Sequence, residues 1–510
     1  MAHYLLKRGL CSNKLWSTLS NTAIDQILPL SCNVLVCGGG IAGLSLAYQL
    51  AALDRLTDIV VVDQRSFGSG VTNRGLGYIT GIRSTPLEGK LSSLTLKTIK
   101  ELSEKYDIGL QRNGSLYLAQ CSNRLVQLKR LSSLYGRLFQ CELVGKSDVE
   151  RLHPYLQRDD LAGAMYVPGD VVVDPSALVN ALITDLQSKG VTLVENCAVT
   201  GMENIGRRVV AAHTSLGRIE CNNFVNAAGS WASELGAQSM PIVRVAQHPC
   251  TQLIYTSQPL SELSQGKVNL PVVRDYDSSM YFHIRPEDSA VVLSGFEEIG
   301  QPISDTKAIP ASKTSLKMHS HPAGTVDSTS FGGSSWDRLT PFLGSALNRL
   351  PLLSMSSVGH LGSVVESYTP DGAWILGKTP KLDNYWVCCA GNSSGFSASF
   401  GMGHVLASWI LDGFPPIEYD VWPIDTQRFL PFHSNAHFLR ERLKEAVSLQ
   451  SWPYLLSDAP SKLRPMRTTP LYTYQLQQGA FFFAQNSFER PQYFDPTITV
   501  HDHIKPTYRR

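Results

Sequence analysis

The sequence predicts an α/β fold, a Rossmann-like unit built from separated segments and interleaved with a mainly antiparallel sheet. Three observations carry this prediction. Residues Asn33–Asp63 read as strand, glycine turn, helix, strand and acid. Two more strand–glycine loop–helix junctions lie far downstream, at Phe224–Ala232 and Tyr385–Phe396. Between them, residues 243–298 alternate with period two, as half-buried antiparallel strands do.

The first unit opens on the apolar run Val34-Leu35-Val36-Cys37 and passes through Gly38-Gly39-Gly40-Ile41-Ala42-Gly43 into the helical pattern Leu44–Leu50. A second apolar run, Ile59–Val62, ends on Asp63. That order and spacing describe a dinucleotide-binding βαβ unit. Gly38 permits the tight turn, Gly40 lets backbone approach a pyrophosphate, and Gly43 lets helix and strand pack closely. Phosphates sit on the N–H groups at the helix start, including those of Ile41 and Ala42, where the dipole favours negative charge. Asp63, ~20 residues past the last glycine, takes a ribose hydroxyl. A glycine turn in an ordinary α/β unit would explain the glycines alone; both strands, the helix and the acid together favour the nucleotide.

The chain has 510 residues, enough for two or three domains and a large core. Apolar residues make up 43% and charged residues 17%, the balance of a packed globular protein. Lys and Arg number 45 against 43 Asp and Glu, so no charge bias argues for nucleic acid. None of the ten cysteines forms a CxxC pair; adjacent Cys388 and Cys389 lie in an apparent strand and read as small buried residues in a reducing compartment. No apolar run reaches the ~18 residues of a transmembrane segment. Residues 1–29 carry Lys7, Arg8 and Lys14, and no acid precedes Asp25, the composition of a mitochondrial transit peptide and hence of a matrix protein.

Along the chain, Gln64–Gly77 is a Gly-, Ser- and Thr-rich loop whose backbone can follow a polar ligand, with Gln64, Arg74 and Gly75 as candidate contacts. Residues 87–105 form an amphipathic helix, 116–119 a strand, and 122–150 a polar helix. Residues 164–173 read as strand, turn, strand. Asp174-Pro175-Ser176 starts a helix over 176–188. Strands over 191–194 and 198–202 precede a hairpin over 207–220. At Ala227-Ala228-Gly229 the chain is small where it passes close to something, either another helix or a cofactor. Residues 301–335 are Ser-, Thr-, Gly- and Pro-rich and read as a long loop. His319 and His321 fall in it without a carboxylate or Cys at ligand spacing, so no metal site is expected. A helix over 337–349 and strands at 362–366, 375–377 and 385–390 lead to Gly391-Asn392-Ser393-Ser394-Gly395 and a further helix. Gly377 precedes that third junction. Residues 416–510 include a charged helix near 436–449 and an aromatic, proline-rich close, too loop-rich to stand alone and expected to pack on the preceding unit.

Three such glycine turns suggest one long cofactor, a flavin dinucleotide (FAD) whose ring end needs walls of its own. Segments of about 30–90, 165–235 and 345–415 would bind it; about 108–165 and 236–344 would form the substrate sheet. Candidate contacts are Gly38, Gly40, Ile41, Ala42, Gly43, Asp63, Gln64, Arg74, Gly75, Ala228, Gly229, Gly377, Gly391, Ser394 and Gly395. An NAD dehydrogenase would fit the first turn but leaves the turns at 229 and 391–395 unexplained.

On Gly38–Gly43, Asn113-Gly114-Ser115, Val173-Asp174-Pro175, Asn226–Gly229, Thr369-Pro370-Asp371 and Gly391–Gly395, the sequence resembles the D-amino-acid-oxidase-like flavoproteins. Within them it is similar to the mitochondrial dimethylglycine and sarcosine dehydrogenase group. Arg112–Gln120, Leu471-Tyr472 and Phe488–Phe494 resemble segments of one relative of that group, the regulatory subunit of pyruvate dehydrogenase phosphatase. The resemblance implies a flavin-dependent oxidoreductase acting on a small amine or amino acid. It also implies the alternative of a flavin-fold subunit that contacts a phosphatase catalytic subunit. In the dehydrogenases a His bonds covalently to the flavin; the matching position here is Arg74, which implies non-covalent FAD. The family normally continues into a folate-binding, aminomethyltransferase-like domain, and the sequence reaches Arg510 without it, so transfer of a one-carbon unit to tetrahydrofolate is not expected of this chain. A substrate carboxylate needs a cation, and the amine needs a setting that keeps it neutral. The candidates are Arg274, Tyr281 and His283, with Arg285 on the same face as the last two and His248 a weaker case.

Overall fold

The computed structural model describes residues 28–53, 55, 58–263, 269–303, 325–326, 335–451, 463–485, 488–495 and 497. The transit-peptide segment before Leu28, and His319 and His321, lie outside the described residues. The chain runs β1 (Ser31–Cys37), α1 (Ile41–Ala52), β2 (Ile59–Val62), β3 (Tyr78–Ile79), α2 (Pro86–Lys105), β4 (Ser115–Ala119), α3 (Ser122–Tyr135), β5 (Glu142–Val144), α4 (Lys146–Leu152), β6 (Gly163–Val167) and β7 (Val171–Val172). Then come α5 (Pro175–Ser188), β8 (Thr192–Val194), β9 (Val199–Ile205), β10 (Arg208–Thr214), β11 (Gly217–Asn226), α6 (Ala232–Ala237), β12 (His248–Ser257), β13 (Val272–Asp275), β14 (Met280–Ile284) and β15 (Val291–Gly295). The remainder is β16 (Gln301–Pro302), β17 (Thr325–Val326), α7 (Ser335–Arg349), β18 (Val358–Tyr368), β19 (Ile375–Lys378), β20 (Tyr385–Cys389), α8 (Gly395–Asp412), α9 (Ala436–Ala446), α10 (Tyr472–Gln477), β21 (Ala480–Gln485) and β22 (Phe488–Phe494).

Two sheets organise these elements. In the first, five parallel strands stand in the order β20-β11-β1-β2-β8, with β19 antiparallel outside β20 and the β9–β10 hairpin beside β11. Successive residues feed opposite cores: Val34 and Val36 join the helices α1, α2, α5 and α8, while Leu35 and Cys37 face α6 and the β9–β10 hairpin. Burial on both faces is why these strands read as unbroken apolar runs. Helix starts are marked locally. Thr85 accepts the Glu88 N–H at 3.1 Å before Pro86 opens α2, and Asp174 accepts the Ser176 and Ala177 N–H groups at 2.8 and 3.1 Å before Pro175 opens α5.

The second sheet has ten strands, ordered β17-β18-β12-β15-β14-β13-β4-β6-β5, with β16 also on β12. It is antiparallel except for the parallel pairs β13/β4 and β17/β18. Helix α7 closes its core, placing Leu339, Phe342 and Ala346 against Phe282, Leu293 and Leu253.

Three sequence expectations change. Residues 122–150 are two helices separated by a strand: Gly136 caps α3, Gly145 precedes α4, and β5 between them pairs with β6. Within 301–335, β16 and β17 pair with the second sheet; both are too short to show a period. The aromatic close forms the β21–β22 hairpin, whose Phe481 ring stacks on Tyr493 at 5.1 Å. Beyond residue 416, Thr426 donates to the Lys378 carbonyl at 3.0 Å, the Arg428 Nε meets Asp371 at 2.8 Å, and Leu443, Ala446 and Val447 pack on Cys250 and Tyr368.

Candidate functional site

All three glycine turns open into one cleft that runs between the two sheets. Gly38, Gly40, Ile41, Ala42, Asp63, Gln64, Gly75, Ala228, Gly229, Gly391, Ser394 and Gly395 all form its walls. The turns touch through backbone. Gly38 has φ +120°, and a Cβ there would lie 2.3 Å from the Ala227 carbonyl oxygen; one on Gly43 would lie 1.9 Å from the carbonyl oxygen of Gly38. Gly43 therefore sits behind the wall, where it allows α1 to start against the turn. Asp63 accepts the Gly39 N–H at 2.7 Å and the Arg65 N–H at 2.8 Å; burial raises its pKa and these two bonds oppose the rise. Thr72 accepts the Ile41 N–H at 3.0 Å.

The third turn is held in an unusual conformation. Ala390, Asn392 and Ser393 have φ of +59°, +43° and +62°, each costing about 1–3 kcal/mol. The Asn392 side chain offsets this: Oδ1 accepts the Thr369 N–H at 2.9 Å, and Nδ2 donates to the carbonyls of Ala373 and Ala390 at 3.0 and 2.9 Å. At Gly229 and Gly395, by contrast, a Cβ would meet no protein atom within 4 Å. The bare backbone there faces open cleft, and so do the first turns of α1 and α8, whose leading N–H groups lack intrahelical partners. These features suit a flavin dinucleotide: helix starts for the pyrophosphate, an acid after β2, and separate walls for the ring.

The second sheet supplies the other end. Arg274 faces Tyr281 on β14 and Tyr117 on β4 in register. Its guanidinium carbon lies 5.0 Å from the Tyr281 ring centre, 5.4 Å from Tyr276, 5.5 Å from Tyr78 and 5.9 Å from Tyr117. Its Nε is buried without a hydrogen-bond partner, and among the described residues no carboxylate stands within ion-pair distance. The Tyr78 hydroxyl donates to the buried Asp170 at 3.0 Å, fixing that side of the cage. Arg83 lies over Trp374 at 5.4 Å and donates from Nη2 to Ser394 Oγ at 2.7 Å.

Other candidates lie elsewhere. His283 shares a face with Tyr281 but sits two residues further along, ~7 Å at strand rise, and is not among the residues that line the cleft. Buried there, its imidazole is held neutral, its pKa lowered by burial to about 4. Arg285 pairs with Asp288, Nε to Oδ1 3.0 Å, and His248 Nε2 contacts the Ile303 carbonyl at 2.8 Å. Gly377, φ +129°, backs onto Trp409, from whose ring a Cβ there would lie 3.0 Å, and Arg74 ends a 3-10 turn outside the walls. Sequence reasoning did not single out Gln252, Tyr276 or Glu366, all of which line the cleft. They carry no motif, although Tyr276 is two residues from Arg274 and could have been found with it. Among the described residues no cluster of metal-ligating side chains occurs, and no helix is long and apolar enough to cross a membrane.

A family model described as FAD dependent oxidoreductase matches residues 33–409, and one described as FAD dependent oxidoreductase central domain matches 416–469. The chain is 32% identical to the mitochondrial pyruvate dehydrogenase phosphatase regulatory subunit of Mus musculus, over 94% of this chain and 52% of that protein. It is 31% identical to the mitochondrial sarcosine dehydrogenase of Mus musculus, over 93% of this chain and 50% of that protein. The chain thus spans about half the length of these curated relatives. Its fold matches the crystal structure of L-proline dehydrogenase from P. horikoshii with a TM-score of 0.67 at 20% identity, covering 79% of this chain and 98% of that one. With the cleft and its three converging turns, these matches establish that the chain belongs to the FAD dependent oxidoreductase family that includes the sarcosine and dimethylglycine dehydrogenases.

Proposed function

We propose that this chain binds FAD non-covalently along the cleft and oxidises a small amine that carries a carboxylate. The observation that carries the reading is Arg274, a cation in a cage of tyrosines with no carboxylate partner among the described residues. Such a charge is costly to bury and is relieved by an anionic ligand through charge-assisted hydrogen bonds. Bound FAD would supply the acceptor for a hydride from the carbon beside the nitrogen. Arg274 would fix the substrate carboxylate, Tyr281 and Tyr276 would wall it in, and the glycine turns would hold the dinucleotide. Arg74, which the family resemblance aligns with the flavin-linked His of the dehydrogenases, supports contact-only binding. The mitochondrial names of the relatives and the basic, acid-free N-terminus support a matrix location.

A second reading, favoured by 32% identity over 94% of this chain to a phosphatase regulatory subunit, keeps FAD as a structural or sensing group and assigns the output to a phosphatase catalytic subunit. Purified protein separates the two by its absorption spectrum with and without sarcosine, dimethylglycine and related N-methyl amino acids. Bleaching on addition of an amine establishes the oxidoreductase. A yellow protein indifferent to all of them, co-purifying with a phosphatase catalytic subunit, overturns that reading in favour of the second.

A further inference from the structure

Tyr281, which faces Arg274, is also within electrostatic reach of a carboxyl group that the cleft presents among hydroxyls and an amide. Glu366 lies near the end of β18 and forms part of the wall. The Tyr368 hydroxyl is 3.3 Å from Glu366 Oε2 and 3.3 Å from Gln252 Oε1, with one proton to give. Ser393, in its left-handed conformation on the third turn, has one hydroxyl proton within reach of both the Glu366 carboxyl and Gln252 Oε1, the latter at 2.8 Å. Gln252 Nε2 in turn donates toward Tyr281 Oη at 3.3 Å and Ser294 Oγ at 3.2 Å. The cluster fixes Glu366 from one side, and among the described residues no cation stands within ion-pair distance of it.

We infer that Glu366 is a catalytic residue of this site, the anchor and proton acceptor for the ammonium group of a substrate whose carboxylate Arg274 holds. The inference rests on the amine reading above and deepens it. The two charged groups make the cleft a two-point clamp for a zwitterion. The proton leaves the substrate nitrogen, the N–H electron pair stays on nitrogen as its lone pair, and the Glu366 carboxylate becomes the carboxylic acid. The neutral amine that results is the form that can give up a hydride.

The protonation chemistry of the surroundings agrees. Burial raises the Glu366 pKa to about 7, with the Ser393 and Tyr368 hydrogen bonds opposing the rise. The titratable groups facing it from neighbouring elements are Tyr368 on its own strand, Cys250 on β12 and Tyr281 on β14; burial raises the pKa of each, so they stay protonated at neutrality. On β12 His248 is lowered by burial and stays neutral, on α9 Lys444 pairs with Glu441 at 2.7 Å, and Arg274 stays charged throughout.

The test titrates the full-chain flavoprotein with two ligands of similar shape between pH 6 and 8, reading the flavin absorbance change on rapid mixing, before sarcosine reduces the flavin. Sarcosine carries the ammonium and the carboxylate; methoxyacetate carries the carboxylate alone, and neither changes its own charge over this range. Sarcosine should tighten about tenfold as Glu366 ionises, and methoxyacetate should weaken about tenfold over the same interval. Glu366→Gln should flatten both profiles, and Glu366→Asp should restore both slopes. Slopes of the same sign, or slopes unchanged in Glu366→Gln, overturn the assignment to Glu366. Should the variants not fold, the opposed slopes of the unmodified protein still decide it. If neither ligand perturbs the flavin, the Arg274 reading fails and this inference fails with it; methoxyacetate needs only Arg274, so its binding separates the two failures.

Discussion

Replacing Gly395 with Ala separates the cofactor's demands from those of the fold. Gly395 opens α8, and a Cβ built on it meets no protein atom within 4 Å. Within the protein the change removes a poor helix former, worth up to ~1 kcal/mol at a helix interior and less in a first turn. The flavin-free protein should therefore melt at the same temperature or slightly higher. Toward a ligand lying on that backbone the new methyl is an obstruction. Forcing one extra methyl into a packed contact costs about 1–3 kcal/mol, which corresponds to FAD binding weakened about 5- to 150-fold. Thermal melts of stripped and reloaded protein, with fluorescence titration of FAD, measure both quantities. The contrasting change is Gly43→Ala, whose Cβ would lie 1.9 Å from the Gly38 carbonyl oxygen; it should destabilise the stripped protein by several kcal/mol, since neither backbone can move aside. The reasoning is refuted if Gly395→Ala binds FAD with unchanged affinity, or if it lowers the melting temperature of the stripped protein as Gly43→Ala does.

Arg274→Met should leave the flavin spectrum intact and weaken a carboxylate ligand by ~2–3 kcal/mol, about 30- to 150-fold, with no loss of thermal stability; a methoxyacetate titration checks it. Asn392→Ala removes the side chain that clasps the left-handed turn and should cost about 2–3 kcal/mol in denaturant unfolding, with reduced flavin retention. Burial lowers the pKa of His153 and of His283 from 6.5 to about 4. The unfolded chain therefore takes up protons that the folded one refuses, so this stability is complete above pH 6.5 and is lost as pH falls toward 4. At pH 5.5 each His should have cost about 1 kcal/mol, and His283→Leu should shallow the slope seen in denaturant melts between pH 7.5 and 5.5.

Much of this protein was legible in its residues. Val34–Val62 declared its strands, its helix and the nucleotide turn because both faces of a parallel strand are buried, which leaves an unbroken apolar run. Thr85-Pro86 and Asp174-Pro175 announced their helices by local bonds alone. Arg274 could be named as a cation for a carboxylate and Tyr281 because alternation assigns a face, but the same rule also named His283, which is not among the residues that line the cleft. The family's flavin turns were visible as glycines; Gly377, one more glycine of the same appearance, serves Trp409 instead. What the residues determined alone is whatever depends on neighbours within a few positions: period, capping, and freedom from a side chain. Only the tertiary structure decided that Glu366, Gln252, Ser393 and Tyr281, drawn from four separate segments, share one wall, and that no carboxylate among the described residues reaches Arg274. Those facts depend on which distant strands become neighbours, and a pairing between positions more than a hundred residues apart leaves no local trace in the chain.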